Sequence, residues 1–153
     1  MDLYTPKYKD LWFRKQFMSD SATMSFNHAW GGTIEFPESH WADWLERWVT
    51  DSDGKRFYRY LRNADKEFVG EIAYYDTGDV YMANIILYAK YRGKGYGREG
   101  LRLLCEEAKK HHIPALYDEI AIDNPAISLF LKMGFVEVER TTEGILLRKD
   151  LSR

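Results

Sequence analysis

The feature that most constrains this chain is a short glycine-rich segment between an apolar run and an amphipathic run. Residues Arg92-Gly93-Lys94-Gly95-Tyr96-Gly97 follow the apolar stretch 80–88 and precede residues 98–112, whose apolar positions recur at helical spacing. The first run predicts a strand and the second a helix. Glycines at such a junction let backbone amides turn inward at a helix N-terminus, where partial positive charge collects. The segment therefore predicts a site for a phosphate or pyrophosphate.

Strand and turn signals precede that segment. Residues 56–62 and 68–75 are rich in β-forming residues, and polar turn residues occupy 63–66 and 76–79. Together with the strand at 80–88, they predict an antiparallel meander.

The remaining C-terminal elements require a crossover. Pro114 follows the helix at 98–112, and the strand predicted at 116–122 is then parallel to the strand at 80–88. The pattern ends with a helix at 125–132 and strands at 136–140 and 145–149. We therefore predict an α/β (α+β) fold with a mixed, mostly antiparallel sheet and flanking helices.

Two helices and a loop are predicted nearer the N-terminus. Residues 9–19 form a short helix, and residues 38–49 form a stronger one with Trp41, Trp44 and Trp48 on one face. These tryptophans predict a core-facing stripe, with the wall of a substrate pocket as the alternative. The paired glycines in 26–32 predict a flexible loop. No linker interrupts the pattern, so we expect one domain over residues 1–153.

Charge and cysteine content limit the function classes. The net charge is −2 with 30% charged residues, a balance that argues against a nucleic-acid binder. A lone Cys105 excludes an internal disulfide and fits a reducing compartment. The N-terminus lacks an uninterrupted apolar segment, so we expect neither a signal peptide nor a membrane span, and a cytoplasmic protein.

Other phosphate motifs fit the glycines less well. A P-loop needs its lysine after the last glycine, whereas Lys94 comes before it. Residues 95–100 match G-x-G-x-x-G, with Asp118 and Glu119 about twenty residues later, as in a dinucleotide site. That fold needs successive parallel βαβ units, which an antiparallel meander does not provide. A dinucleotide-binding oxidoreductase therefore stays a remote alternative.

Two blocks together resemble the GNAT superfamily of N-acetyltransferases. Residues 85–97 contain R-x-x-G-x-G, similar to the acyl-CoA motif of that family, and residues 124–135 resemble its following motif, which ends in Gly-Phe. The resemblance covers roughly residues 55–150. It implies the acyl-CoA N-acyltransferase fold with a splayed parallel strand pair, and direct acetyl transfer from acetyl-CoA to a primary amine.

The resemblance also implies a coenzyme site. Backbone groups of Ile85 and Leu87 would pair with pantetheine, and the Leu87 amide would be the oxyanion donor. The amides of 92–97 would hold the pyrophosphate, and we expect no metal. The residues implied for coenzyme binding are Ile85, Leu87, Arg92, Gly93, Lys94, Gly95, Tyr96, Gly97, Arg98, Asn124 and Phe130.

The chain departs from the family pattern at Phe130. Many members carry a tyrosine there, hydrogen-bonded to the coenzyme sulfur as a general acid, and phenylalanine has no donor. The register of the second block is open by one residue, but Phe130 occupies the tyrosine position either way. Ser128, a water or another tyrosine is a candidate for the missing acid, and Tyr81 stands where some members carry a glutamate. The alternative is a module that binds acyl-CoA without turnover.

The amine that accepts the acetyl group is the least constrained part of the prediction. The resemblance implies that residues 1–52, and mainly 19–36, shape its pocket, with Trp30, Phe26 and Glu71 as candidate contacts. As partners we expect a small-molecule or peptide amine and, as one possible assembly, a homodimer, but neither nucleic acid nor membrane. The residues decide neither the acceptor nor the oligomeric state.

Overall fold

A seven-stranded sheet forms the centre of the structure, with the strand order β1-β2-β3-β4-β5-β7-β6. The structure is a computed structural model that describes residues 1–152, without the side chains of residues 29 and 30. The strands are β1 (Asp2–Tyr4), β2 (Arg56–Arg62), β3 (Phe68–Asp76), β4 (Tyr81–Leu87), β5 (Ala115–Ala121), β6 (Val136–Arg140) and β7 (Gly144–Asp150).

Helices cover both faces of this sheet. They are α1 (Leu11–Met18), α2 (Trp41–Leu45), α3 (Tyr96–Lys110) and α4 (Ala126–Lys132). Single 3₁₀ turns occupy Tyr8–Asp10, Glu38–His40 and Ala89–Tyr91, and a π-helical turn, Glu46–Thr50, continues α2. No helix among the described residues is both long and apolar enough to cross a bilayer.

The predicted meander and crossover are confirmed. Strands β2, β3 and β4 pair antiparallel, with Glu71 opposite Ile86. Strand β5, reached through α3, pairs with β4 in parallel at one position, Met82 opposite Tyr117. The sheet is therefore mixed and mostly antiparallel, as the turn chemistry and the single long crossover require.

Gly70 allows β3 and β4 to pair closely. A Cβ atom built at this position would lie 2.3 Å from the carbonyl oxygen of Ile86, closer than side-chain carbons approach backbone oxygens. Because the conflicting atom belongs to the backbone, rotation of a side chain cannot relieve the contact.

Alternation along the strands divides the core into two layers. One layer lies between the sheet and the C-terminal helices and includes Ile72, Leu101, Leu104 and Phe130. The other lies between the sheet and the N-terminal helices, and its members are largely aromatic. The second layer explains much of the aromatic content of the chain.

Two N-terminal features differ from the sequence prediction. Strand β1 was not predicted, because three residues carry too little periodicity; it pairs with β2, and Asp2 forms an ion pair with Arg62. Residues 26–32 were predicted as a flexible loop, but Ser25–Trp30 forms a 3₁₀ helix. The Asn27 side chain stabilises its end by donating to the Gly32 carbonyl at 2.7 Å.

Candidate active site

The parallel strands β4 and β5 separate beyond their single paired position and leave a cleft between them. A cavity of about 700 Å³ occupies this cleft. Residues 83–87 of β4 form one wall, and residues 118–121 of β5 form the other. The splayed pair expected from the resemblance is therefore present.

The backbone of β4 presents polar groups to this cleft. The Tyr88 amide donates to the Val69 carbonyl at 2.9 Å, and the register with β3 is regular from there along β4. In an antiparallel pair, alternate residues direct their amide and carbonyl groups to the partner strand. Ile85 and Leu87 therefore direct theirs away from β3, toward the cleft. These groups can pair with an extended ligand.

The glycine-rich turn ends in an uncapped helix N-terminus. Gly93 and Gly95 have φ values of 79° and 83°, which favour glycine, and α3 begins at Tyr96. No described side chain caps this helix. The first amides of α3 are therefore oriented for an anion at the end of the cleft. The Lys94 and Arg98 side chains are exposed beside this turn.

Arg92 binds protein groups at this turn. Its guanidinium donates to the carbonyls of Ala22 and Thr23 at 3.1 and 2.8 Å, and burial lowers its pKa. The Thr23 hydroxyl in turn accepts from the Ala89 amide at 2.9 Å. Arg92 therefore joins the glycine-rich turn to the loop after α1.

The second block, residues 124–135, forms the far wall of the cleft. The Asn124 side-chain oxygen accepts from the Ala126 amide at 2.9 Å and orders the start of α4. Phe130 lines the cavity and is buried against Phe135, with ring centres 5.0 Å apart. Ser128 is exposed, and its hydroxyl donates to the Pro125 carbonyl at 3.1 Å.

Tyr81 lies away from these residues. It packs against Tyr74, with ring centres 6.1 Å apart, beside a separate small cavity of about 350 Å³. Side chains alternate between the two faces of a strand, so Tyr81 and Asn84, three residues apart on β4, project from opposite faces. The structure therefore does not bring Tyr81 together with the other predicted site residues.

The cavity continues into a compartment that we name the N-terminal chamber. It is lined by Arg14, Met18, Thr23, Met24, Phe26, Asn27, Ile34, Trp44, Trp48, Tyr58, Glu71, Ala73 and Tyr75. Predicted contacts Phe26 and Glu71 are among these residues, whereas the Trp30 side chain lies outside the described residues. Trp44 and Trp48 line the chamber, so the tryptophan stripe serves both as core and as pocket wall.

Glu71 is the buried carboxylate of this chamber. Its side chain is 2% exposed and accepts hydrogen bonds from the Tyr58 hydroxyl at 2.9 Å and the Asn84 amide at 2.7 Å. The Arg14 Nε atom lies 3.7 Å from it. Burial raises the pKa of Glu71, and Arg14 and the two hydrogen bonds oppose that rise. A carboxylate whose pKa is raised is a stronger base than an exposed glutamate.

Asp118 is a second carboxyl group on the cleft wall. Asp118 belongs to β5 and pairs with Leu147 of β7. Paired residues project from the same face of a sheet, so Asp118 lies on the face where Leu147 and Phe130 are buried. Burial raises the pKa of Asp118 well above its usual range, against a hydrogen bond from the backbone of Glu119. A protonated carboxyl group is thereby favoured on the same side of the cleft as Phe130.

This shift predicts how stability depends on pH. Because the folded pKa of Asp118 is raised, its contribution is fully present below the unfolded pKa and is lost as pH rises toward the folded value. We expect Asp118→Asn to remove that loss. Its Tm relative to the unsubstituted protein should rise as the pH increases above about 4, the usual pKa of an aspartate. Thermal unfolding at a series of pH values measures the difference, and a difference that does not change with pH would contradict the assignment.

Sequence reasoning missed the three polar side chains that surround Glu71. Arg14 and Tyr58 come from α1 and β2, and Asn84 projects from β4. Two signals were available for Asn84. It is a polar residue within an apolar strand, and it lies two residues before Ile86, so both side chains project from the same face of β4. Arg14 gave no comparable signal, because an arginine in a short helix is ordinarily a surface residue.

The described residues contain no group of three or more His, Cys, Asp or Glu side chains placed to hold a metal ion. The cleft offers backbone amides, aromatic walls and carboxyl groups. Such a set suits binding of an extended anionic ligand and proton transfer near its end.

Known proteins share the sequence pattern and the fold. The model of the Acetyltransferase (GNAT) family matches residues 15–135. The uncharacterized N-acetyltransferase YobR of Bacillus subtilis is 30% identical over 79 residues, which are 50% of this chain and 32% of YobR. The chain thus spans about a third of the length of that curated relative.

Solved structures extend the similarity over nearly the whole chain. A spermidine N-acetyltransferase from Vibrio cholerae, solved with CoA and spermine, superposes with a TM-score of 0.79 at 18% identity, covering 96% of this chain and 92% of that one. A ribosomal-protein-alanine N-acetyltransferase from Brucella melitensis gives a TM-score of 0.79 at 20% identity, covering 98% and 99%.

Proposed function

This chain belongs to the GNAT acetyltransferase family, and on that premise we propose that it transfers an acetyl group from acetyl-CoA directly to a primary amine. The observation that carries the proposal is the splayed β4–β5 pair, whose cleft runs from an uncapped helix N-terminus to a buried carboxylate. The two ends of the cleft match the two substrates of such a reaction.

The coenzyme end is supported by backbone geometry. In this proposal the amides of residues 93–97 hold the pyrophosphate, and the backbone groups of Ile85 and Leu87 pair with the pantetheine amides. The cleft-facing amide of Leu87 is then a candidate oxyanion donor. The fold relative from Vibrio cholerae was solved with CoA, which is consistent with this use of the cleft. Arg92 contributes by fixing the turn, since its donors contact protein carbonyls.

Glu71 is our candidate for the group that accepts the proton of the amine. It lies opposite Ile86 of β4, next to the backbone that lines the cleft, and it faces the N-terminal chamber. An amine must lose its proton before it attacks a thioester, because an ammonium has no free electron pair. A raised pKa brings Glu71 closer to neutral, where it is a stronger base.

Asp118 is our candidate for the group that returns a proton to the departing thiolate. Phe130 has no donor, and Asp118 lines the same cleft from the adjacent strand. The raised pKa favours the protonated form of Asp118, which can donate as a tyrosine hydroxyl does.

We expect Asp118→Asn to lower kcat by about 10- to 100-fold, because a positioned proton donor contributes on the order of 10²-fold. Adding Phe130→Tyr to this variant should restore part of the loss by supplying a hydroxyl from α4. Steady-state kinetics on the single and double variants measure both effects. Equal kcat for Asp118→Asn and the unsubstituted protein would remove Asp118 from the mechanism.

The function itself is tested by following CoA release from acetyl-CoA in the presence of amino acids, monoamines, polyamines and peptides. We expect turnover with at least one amine and the N-acetylated product by mass spectrometry. CoA binding without turnover of any amine would instead support the acyl-CoA-binding module.

A further inference from the structure

Arg14 places a cation inside the N-terminal chamber. Its side chain is 13% exposed, although arginine is rarely buried without a partner. The guanidinium carbon lies 4.5 Å from the ring centre of Phe36 and 4.6 Å from that of Trp44. Contact with two aromatic rings restrains the planar group in one orientation.

One donor of this guanidinium lacks an acceptor among the described residues. The Nε atom is buried and has no hydrogen-bond partner among the described residues. Its separation of 3.7 Å from Glu71 is too long for a hydrogen bond, and Glu71 instead accepts from Tyr58 and Asn84. A buried donor without an acceptor is uncommon in folded proteins and is costly. It indicates that a ligand supplies the acceptor.

A carboxylate is the group that fits this donor set. The planar fork of arginine binds a carboxylate through two parallel hydrogen bonds. Arg14 and Glu71 also form an adjacent cation and anion, and the ammonium and carboxylate of an α-amino acid are separated by one carbon. Such a molecule meets opposite charges at both positions, with its nitrogen toward Glu71.

A polyamine fits this pair of charges poorly, because it carries ammonium groups and no carboxylate. It would bring a second ammonium close to Arg14 without a second buried carboxylate to receive it, since Glu71 is the buried carboxylate among the described lining residues of the chamber. The rest of the wall is mainly apolar and includes Met18, Met24, Phe26, Ile34 and Trp48. This wall favours an apolar substituent on the acceptor.

We infer that the acceptor is an α-amino acid with a free carboxylate and an apolar side chain, bound through Arg14 beside Glu71. The inference rests on the proposed function, because it assigns the amine of that reaction.

Matched acceptors test it on the unsubstituted protein. Methionine and phenylalanine are compared with their carboxamides and with the amines that lack the carboxyl group, at saturating acetyl-CoA. We expect kcat/KM for the acids to exceed that for the matched amides and amines by about 10- to 100-fold, as for a charge-assisted pair of hydrogen bonds. Equal values, or a polyamine as the best substrate, would overturn the inference and leave the proposed function intact.

Arg14 variants connect the preference to this side chain. Arg14→Met should reduce the ratio of acid to amide to near one, mainly through KM for the acid, whereas Arg14→Lys should keep part of the ratio. The ratio within one variant is independent of the amount of folded protein. A ratio unchanged in Arg14→Met would contradict the role of Arg14.

A binding measurement keeps the inference testable without turnover. With CoA present, N-acetylmethionine should stabilise the protein against heat more than N-acetylmethionine amide does, because only the former carries a carboxylate. Equal stabilisation by the two compounds would contradict the inference. Failure of the proposed function would differ, since no amine would then be acetylated even if N-acetylmethionine bound.

Discussion

Glu71→Gln should lower kcat/KM by about 10²- to 10⁴-fold, the range for loss of a positioned general base. The amide has nearly the same shape but cannot accept the proton of the amine. The unsubstituted protein should lose kcat/KM as pH falls through the pKa of Glu71, because the carboxyl group is then protonated. Since burial raises that pKa, the loss should begin at a higher pH than for an exposed glutamate. In Glu71→Gln this acidic limb should be absent.

Two measurements separate this effect from damage to the fold. CoA should stabilise Glu71→Gln against heat as well as it stabilises the unsubstituted protein, because Glu71 lies in the N-terminal chamber and the coenzyme amides lie at α3. Asp79→Asn is the matched control, since Asp79 is exposed in the turn between β3 and β4. We expect that control to retain full activity. Full activity in Glu71→Gln would show that Glu71 is not the base and would favour an ordered water molecule in that role.

The largest effect on stability is expected from Gly70→Ala. The new methyl group would meet the Ile86 carbonyl oxygen at 2.3 Å, so β3 and β4 would have to separate or twist. We expect a loss of at least about 3 kcal/mol in the free energy of unfolding, at the upper end for overpacking. The corresponding fall in Tm is about 6–12 °C. Urea and thermal unfolding measure both quantities.

Gly97→Ala is the control for the methyl group itself. A Cβ atom there would lie 3.4 Å from Leu129 Cδ2 and 3.5 Å from Leu87 Cδ1, and both are ends of flexible side chains. Gly97 also lies inside a helix, where alanine is the better helix former. We expect its stability to stay within about 1 kcal/mol of the unsubstituted protein. Equal Tm values for both alanine variants would show that β4 shifts without cost.

The parts of the fold that were predictable are those encoded locally. Alternation gave the bounds of β2 without error, and proline and glycine signals located the ends of α3 and α4 within a few residues. The two motif blocks lie on the cleft because the chain between them forms one helix and one strand. The order of these elements then determined the parallel pair.

The chemistry of the chamber was not predictable in the same way. Arg14 and Glu71 are distant in sequence and meet because α1 packs on the face of β3 that carries Glu71. No periodicity specifies which sheet face each helix covers. The predicted catalytic role of Tyr81 failed to fit the structure for the same reason. That prediction came from the position of Tyr81 in a motif and took no account of the sheet face. Strand parity places it on the face opposite Asn84 and Glu71.

The contacts of Arg92 have a consequence for the binding of two ligands. Thr23 and Met24 form part of the chamber wall, and Arg92 and Ala89 hydrogen-bond the loop that carries them. A ligand that orders the glycine-rich turn therefore also orders the wall that the second ligand must contact. The two affinities are coupled by the same factor in either direction. We expect CoA to raise the affinity for the acceptor and the acceptor to raise the affinity for CoA by the same factor, and Arg92→Lys should reduce that factor in binding measurements made with and without the other ligand.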